Sequence, residues 1–339
     1  MTFQRSRLKE WVEGYYGDKK IKIDFLAGDA SSRRYYRIKK ESKTYVLMDA
    51  SSEKDKLIQF ISIGNLFRSE GVKTPEIVHV DIDEGLCLLS DFGDRLLFDM
   101  FSEEKENNYY RYCLDELIKI NQINGHEVPE YSYEKLIEEA GRMNEWFFEW
   151  IKLKVSSKDK EMLSRLFSQL AEVAKMQPQT TLHRDYHSKN IMMLGSQSLG
   201  VIDYQDAVCG PVVYDLVSLL RDCYISWPKQ VVNYWVEVYF QMLKSHNVIG
   251  EEISLSEFKH WFDWVGMQRH IKCLGIFSCL FIRDGRPNYL EHIPTVVQYV
   301  VSVAEDYPQL KLWLEFWQNK VQPKLDLIDL KKVASKEVI

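Results

Sequence analysis

The sequence contains no apolar run long enough to cross a bilayer. Its longest, Ile271 to Ile282, is interrupted by Lys272 and falls well short of the roughly 20 residues a spanning helix needs. The first seventeen residues, Met1 to Gly17, are charged and aromatic and lack the apolar centre of a secretory signal. Cysteine pairs are missing too. The six cysteines, at 87, 113, 209, 223, 273 and 279, make no CxxC and no zinc spacing. Reduced thiols in a cytoplasmic protein are therefore expected, not a disulfide scaffold. There is no excess of positive charge: 44 Lys and Arg face 50 Asp and Glu, a net charge of -6. That argues against nucleic acid as a partner, and no membrane partner is expected. Internal repeats and low-complexity linkers are absent. What remains is a chain of 339 residues, 45% apolar and 28% charged, ordinary for a globular protein and long enough for two lobes.

The pattern changes along the chain. Ile21 to Phe25, Tyr35 to Ile38 and Tyr45 to Met48 alternate or run apolar as strands do, with a turn at Lys40 to Lys43. From Asp55 to Arg68, Leu57, Phe60, Ile61, Ile63, Gly64 and Phe67 recur at helical spacing, and Gly71 ends the helix. Two short strands follow, Ile77 to Val80 and Leu86 to Leu89. Beyond Ser90-Asp91-Phe92-Gly93-Asp94 the periodicity is helical: 103–124, 133–153, 158–176, 214–223, 229–246, 256–282 and 292–318. The one interruption, Thr181 to Asp206, contains a hairpin of Ile191 to Leu194 and Leu199 to Ile202. The expected fold is α+β and two-lobed: a small antiparallel-sheet lobe with one helix over 1–90, and a larger, mainly helical lobe over 91–339 that carries the hairpin. This is the arrangement of a protein kinase.

The chemistry lies in the interruption. His183-Arg184-Asp185-Tyr186-His187-Ser188-Lys189-Asn190 fits the kinase catalytic-loop pattern, H-R-D followed five residues on by Asn. A bend of that length presents an acid for the acceptor hydroxyl and an amide oxygen for a metal on the nucleotide phosphates. Directly after the hairpin, Ile202-Asp203 supplies an Asp where a kinase keeps its metal-binding carboxylate. The literal string Asp91-Phe92-Gly93 lies before the catalytic loop, on the wrong side for that role. It suits the junction of the lobes, where the backbone from Ser90 to Phe92 is expected to meet adenine.

With Tyr214-Asp215-Leu216 added, this set resembles the aminoglycoside phosphotransferase and choline kinase superfamily. Within it the chain is more similar to the bacterial N-acetylmuramate/N-acetylglucosamine anomeric kinases of cell-wall recycling. The carrying stretches are Leu26 to Ser31, Val46 to Ala50, Leu88 to Asp91, Gly200 to Ala207, Gly210 to Tyr224, and Gly266 to Gly285. The resemblance implies Asp185 as catalytic base and Asn190 and Asp203 as ligands of Mg2+. It implies ATP as phosphoryl donor, His183 and Asp215 as supports of the loop, and a product passed to a nucleotidyl transferase. His187 either approaches the γ-phosphate or only packs.

Two departures stand out. The strand that carries the phosphate-binding lysine in kinases reads Tyr45-Val46-Leu47-Met48, with Met48 near the lysine position, and the glycine loop has only Gly28. Gly28, Ser31, Ser32 and Arg33 are the candidates for holding phosphate, by backbone amides and a substitute cation; Arg34 and Arg37 are the other cations at hand. These departures keep a catalytically silent nucleotide-binding protein as an alternative. For the acceptor the candidates are Arg221, Asp222, Arg269, His270 and Arg283. Their Arg and His content favours a neutral or anionic sugar over a polycationic aminoglycoside or an amino alcohol. Trp227, Trp261 and Trp264 are core residues or sugar platforms, with core favoured.

Overall fold

The computed structural model describes residues 2–18, 21–28, 33–104, 108–195 and 197–329, with residues 2–5 and 102–104 by backbone alone. The chain divides into two compact units, Met1–Arg95 with Met192–Asp206, and Leu96–Ile191 with Ala207–Ile339.

The first unit holds α1 (Thr2–Tyr16), β1 (Lys22–Ala27), β2 (Arg34–Lys40), β3 (Lys43–Asp49), α2 (Lys54–Ser69), β4 (Ile77–Asp81) and β5 (Leu86–Ser90). Its strands form one five-stranded sheet in the order β1-β2-β3-β5-β4, antiparallel throughout. The sequence reading gave this lobe one helix, and α1 is a second. Its apolar side is thin, essentially Leu8 and Val12 in a charged background, so its periodicity is faint. Tertiary contacts hold it instead. Leu8 and Val12 are fully buried against Ile23, Ile38, Leu47, Leu86 and Leu88 of the sheet. Arg7 bonds Asp49 at 3.2 Å and Glu84 at 3.1 Å, and the Trp11 indole donates to Asp81 at 2.9 Å.

The hairpin strands β7 (Ile191–Met193) and β8 (Leu199–Val201) form a two-stranded sheet. From Met192 onward this segment groups with the sheet unit, although its place in the sequence lies deep among the helices. The reason is packing. Tyr204 stacks on Phe60 of α2, ring centres 4.8 Å apart, and leans on Phe67. Gly64 leaves room for it, since a Cβ there would lie 2.6 Å from the Tyr204 hydroxyl. The Val201 amide donates to the Lys73 carbonyl, and the Met193 amide to the Arg95 carbonyl, both at 2.8 Å.

The second unit is helical. Its elements are α3 (Leu97–Glu104), α4 (Tyr110–Gln122), α5 (Tyr133–Arg142), α6 (Phe148–Trp150), α7 (Ser157–Met176), β6 (Gln179–Leu182), β9 (Val208–Pro211), α8 (Tyr214–Leu220), α9 (Lys229–Ser245), α10 (Leu255–Ile282), α11 (Ile293–Asp306), α12 (Lys311–Phe316) and α13 (Gln322–Leu325). The 28-residue α10 is its axis. Residues all round it are buried, as expected of a helix enclosed by others, and it packs on α5, α7 and α11. At Gly275 the approach is close: a Cβ there would stand 2.4 Å from the carbonyl carbon of Arg142. The expected helix over 292–318 is broken. Tyr307 is extended, φ -122° and ψ 109°, because the following Pro308 disfavours a helical residue before it. The antiparallel pairing of β6 with β9, Gln179 opposite Pro211 and Leu182 opposite Val208, has no signature in the sequence. Four-residue strands, one carrying Gly and Pro, leave no alternation to read.

Candidate active site

The segment from His183 to Asn190 leaves β6 and is held at several points within the helical unit. The amides of His183 and Arg184 donate to the two carboxylate oxygens of Asp215, at 2.6 and 2.9 Å. Asp215 is fully buried in the first turn of α8. Arg184 takes a left-handed backbone, φ 74°, a strained conformation that concentrates at functional positions. The Tyr186 hydroxyl donates to the Cys113 carbonyl of α4 at 2.8 Å. Further on, the Ser188 amide donates to Asp222 at 2.9 Å, and the other oxygen of Asp222 accepts from the Tyr224 amide at 2.9 Å. Two buried carboxylates therefore clamp the loop, Asp215 at its start and Asp222 at its middle. The Asn190 side-chain amide donates to the Asp185 carbonyl at 3.0 Å, which leaves its oxygen for another partner.

Asp185 itself is half-buried, and its carboxylate accepts no hydrogen bond among the described residues. Burial pushes its acidity one way; Lys272, His187, Arg269 and Arg184 push it further the other way and hold the carboxyl down at about 2. Burial and the negative charge of Asp185 push Asp215 up to about 7, against its two amide bonds and Arg269. The cations are themselves positioned. Glu139 of α5 takes Arg184 at 2.7 Å and Lys272 at 3.0 Å. It also accepts from the Tyr131 hydroxyl, and Lys272 donates to the Tyr214 hydroxyl at 3.1 Å. Burial pulls the Lys272 ammonium down, but Tyr214, Glu139 and Asp185 keep it above its ordinary value. Sequence reasoning missed Glu139 and Lys272. The signal for Lys272 was present, as the one charge inside the longest apolar run.

In the sheet unit, Asp203 ends the hairpin with φ 63°, a second left-handed non-glycine residue. Its carboxylate is 45% exposed, accessible to a ligand. One oxygen receives Arg33 at 3.3 Å and Gln205 at 3.1 Å. Arg33 is buried, and Met48, opposite Tyr35 and Cys87 in the sheet, is fully buried. Gly28 follows β1; Ser31 and Ser32 lie outside the described residues. Ser90 pairs through its amide and hydroxyl with the backbone of Glu76, both at 2.8 Å, and the Phe92 ring lies against Gly200. Asp91 is an ion-pair residue. Arg37 grips it at 2.7 and 3.1 Å and also reaches Asp94 at 2.7 Å. Although burial raises it, Arg37 and the Gly93 amide hold Asp91 below the usual range. This use also occupies Arg37.

The acceptor candidates divide. Arg269 is buried on α10, with one hydrogen bond among the described residues, to the Cys223 sulfur at 3.8 Å. Asp222 is spent on the loop. Arg221 pairs with Asp263 and covers the Phe262 ring. His270 is fully buried, bonds the Arg221 carbonyl at 2.9 Å, and is pushed down to about 3, chiefly by burial and Arg269. Arg283 is exposed and paired with its neighbour Asp284. Trp261 and Trp264 are core, while Trp227 packs edge-on to Phe101. An unforeseen aromatic row flanks the loop: Tyr224 stands 5.1 Å from His187 and 4.8 Å from His292, with Lys189 over its ring at 3.9 Å.

No helix among the described residues is long and apolar enough to cross a membrane. The chain is 32% identical over 311 residues, 90% of its own length and 92% of the other, to the N-acetylmuramate/N-acetylglucosamine kinase of Neisseria meningitidis serogroup B. It is 32% identical, over 84% of each chain, to the enzyme of the same name from Pseudomonas putida. Its fold is that of an ADP-bound aminoglycoside phosphotransferase at a TM-score of 0.59, 13% identity, covering 86% of this chain and 97% of that one. The architecture is thus the α+β, protein-kinase-like one. Residues 22–246 match the model of the phosphotransferase enzyme family, and the chain belongs to that family.

Proposed function

We propose that the protein transfers the terminal phosphoryl group of ATP to the anomeric hydroxyl of N-acetylmuramate or N-acetylglucosamine, giving a sugar 1-phosphate. The observation that carries this reading is Asp185: a carboxylate kept ionised by surrounding cations, at the head of a doubly clamped loop. Asp185 orients the acceptor hydroxyl and takes its proton. The hydroxyl oxygen bonds to the γ-phosphorus as the bond to the β–γ bridging oxygen breaks, and ADP leaves with that electron pair. Asp185 then returns the proton to solvent. A carboxylate held at about 2 is a weak base. Phosphoryl transfer, with its loose transition state, needs positioning more than proton abstraction, and an anomeric hydroxyl is more acidic than other sugar alcohols.

Mg2+ on the nucleotide would supply charge neutralisation of the phosphates. Asn190 and Asp203 are suited to hold it, because a half-exposed carboxylate and a free amide oxygen are the hard donors this ion takes. Arg33, buried and already at Asp203, is the natural replacement for the missing lysine. Gly28 with Ser31 and Ser32 would approach the phosphates, and the stretch from Ser90 to Phe92 the adenine. The electrostatics disfavour the aminoglycoside alternative. Lys272, Arg269 and Arg184 around Asp185 repel a polycation, whereas a neutral or anionic sugar is accepted. A cytoplasmic location, where ATP is abundant and thiols stay reduced, fits the six free cysteines. The product is a substrate for a nucleotidyl transferase that activates sugar 1-phosphates. ADP release measured across N-acetylmuramate, N-acetylglucosamine, kanamycin and choline tests the reading. Turnover confined to the amino sugars is expected; turnover confined to kanamycin or choline overturns it.

A further inference from the structure

Arg269 differs from its neighbours. Arg184 and Arg221, the other deeply set arginines of this region, are paired with carboxylates, Glu139 and Asp263. Arg269 is 4% exposed, yet among the described residues it pairs with no carboxylate. A guanidinium has five N–H donors, and here a single weak bond to the Cys223 thiol uses one. Asp185 and Asp215 act on it through space without touching it. Burying a charge with most of its donors unused costs stability unless a partner completes it. The planar fork of an arginine matches a carboxylate in bidentate fashion. The sulfurs of Cys223 and Cys273 lie beside it, and neither offers the two oxygens that the fork matches. Cys223 follows Asp222, whose carboxylate accepts from the Ser188 amide, so Arg269 stands at the back of the loop that carries Asp185.

From this we infer that Arg269 is the anion-binding group of the acceptor site and takes the carboxylate of the carboxylated sugar while its anomeric hydroxyl meets Asp185. The inference rests on the sugar-kinase reading above. It makes Arg269 the residue that sets preference between N-acetylmuramate, which carries a carboxylate, and N-acetylglucosamine, which does not. The alternative oxyanion is the phosphoryl group in transfer, which is common to both acceptors, so the ratio between sugars separates the two.

The experiment measures kcat/KM for both sugars with the wild type, Arg269→Met and Arg269→Lys, with melting curves as the control for folding. Arg269→Met is expected to lower the ratio of N-acetylmuramate to N-acetylglucosamine by roughly 10- to 100-fold, the value of a charged hydrogen-bonded contact. Arg269→Lys, which keeps the charge and loses the fork, is expected to fall between. An equal loss for both sugars, or an unchanged ratio, in a variant that melts like the wild type overturns the inference. If Arg269→Met does not fold, an unchanged ratio in Arg269→Lys does so. A wild type that phosphorylates neither sugar removes the sugar-kinase reading and this inference together, whereas a wild type that takes both with an unmoved ratio removes only the latter.

Discussion

Asp185 carries a charge that is unusually well protected, and its surroundings set what pH can do to it. Its carboxyl lies lower in the folded protein, at about 2, than in an unfolded chain, where it titrates near 3.8. The associated stability is therefore present above pH 3.8 and is lost as the pH falls toward 2. Across the range in which the enzyme works, the group stays ionised. The kcat/KM profile should show no limb from this carboxylate between pH 5 and 8, and an acid limb in that range that disappears in Asp185→Asn would contradict the assignment. Asp185→Asn itself should lower turnover by roughly two to four decades with nucleotide affinity little changed. Asp222 makes a second prediction at this scale. The sequence placed it among acceptor groups, whereas the structure spends both of its oxygens on the amides of Ser188 and Tyr224. Asp222→Asn should then reduce kcat by roughly 10-fold or more, from loss of a charged hydrogen bond, and leave the acceptor KM nearly unchanged. A rise in acceptor KM at constant kcat would return Asp222 to the acceptor site.

Elements explain which residues could be read in advance. The H-R-D loop and Asp203 were legible because fixed chemistry demands fixed spacing in a short stretch. Asp215 was legible only through resemblance, since nothing local says that a carboxylate 31 and 32 residues beyond two amides will meet them. Glu139 and Lys272 come from α5 and α10, so their pairing exists only once those helices pack. The faint periodicity of α1 hid a helix whose burial is set by the sheet it covers, and short strands such as β6 and β9 carry no pattern of their own. The packing of α10 gives the test at this scale. A valine at Gly275 would press its side chain into the backbone of Arg142, where even a Cβ comes within 2.4 Å. Gly275→Val should destabilise by about 1–3 kcal/mol, the usual cost of overpacking, and lower the melting temperature by roughly several degrees. A variant melting at or above the wild-type temperature would show that the two helices can separate freely.

At the scale of the whole molecule, the segment from Met192 to Asp206 groups with the sheet unit, where Tyr204 mounts Asp203 on α2, while Asp185 belongs to the helical unit with α8 and α10. The sheet unit has a buried methionine, Met48, in the strand where a lysine is expected from the kinase pattern, and Arg33 stands beside Asp203. The helical unit surrounds its acid with positive charge, which suits a neutral or anionic sugar. Phosphorylation of an anomeric hydroxyl, as proposed above, can be read by phosphorus NMR of the product formed from MgATP and N-acetylglucosamine. The expected result is a phosphate resonance coupled to the C1 proton of the sugar and lost on mild acid treatment; a phosphate coupled to the C6 protons and stable to that treatment would rule out the anomeric product.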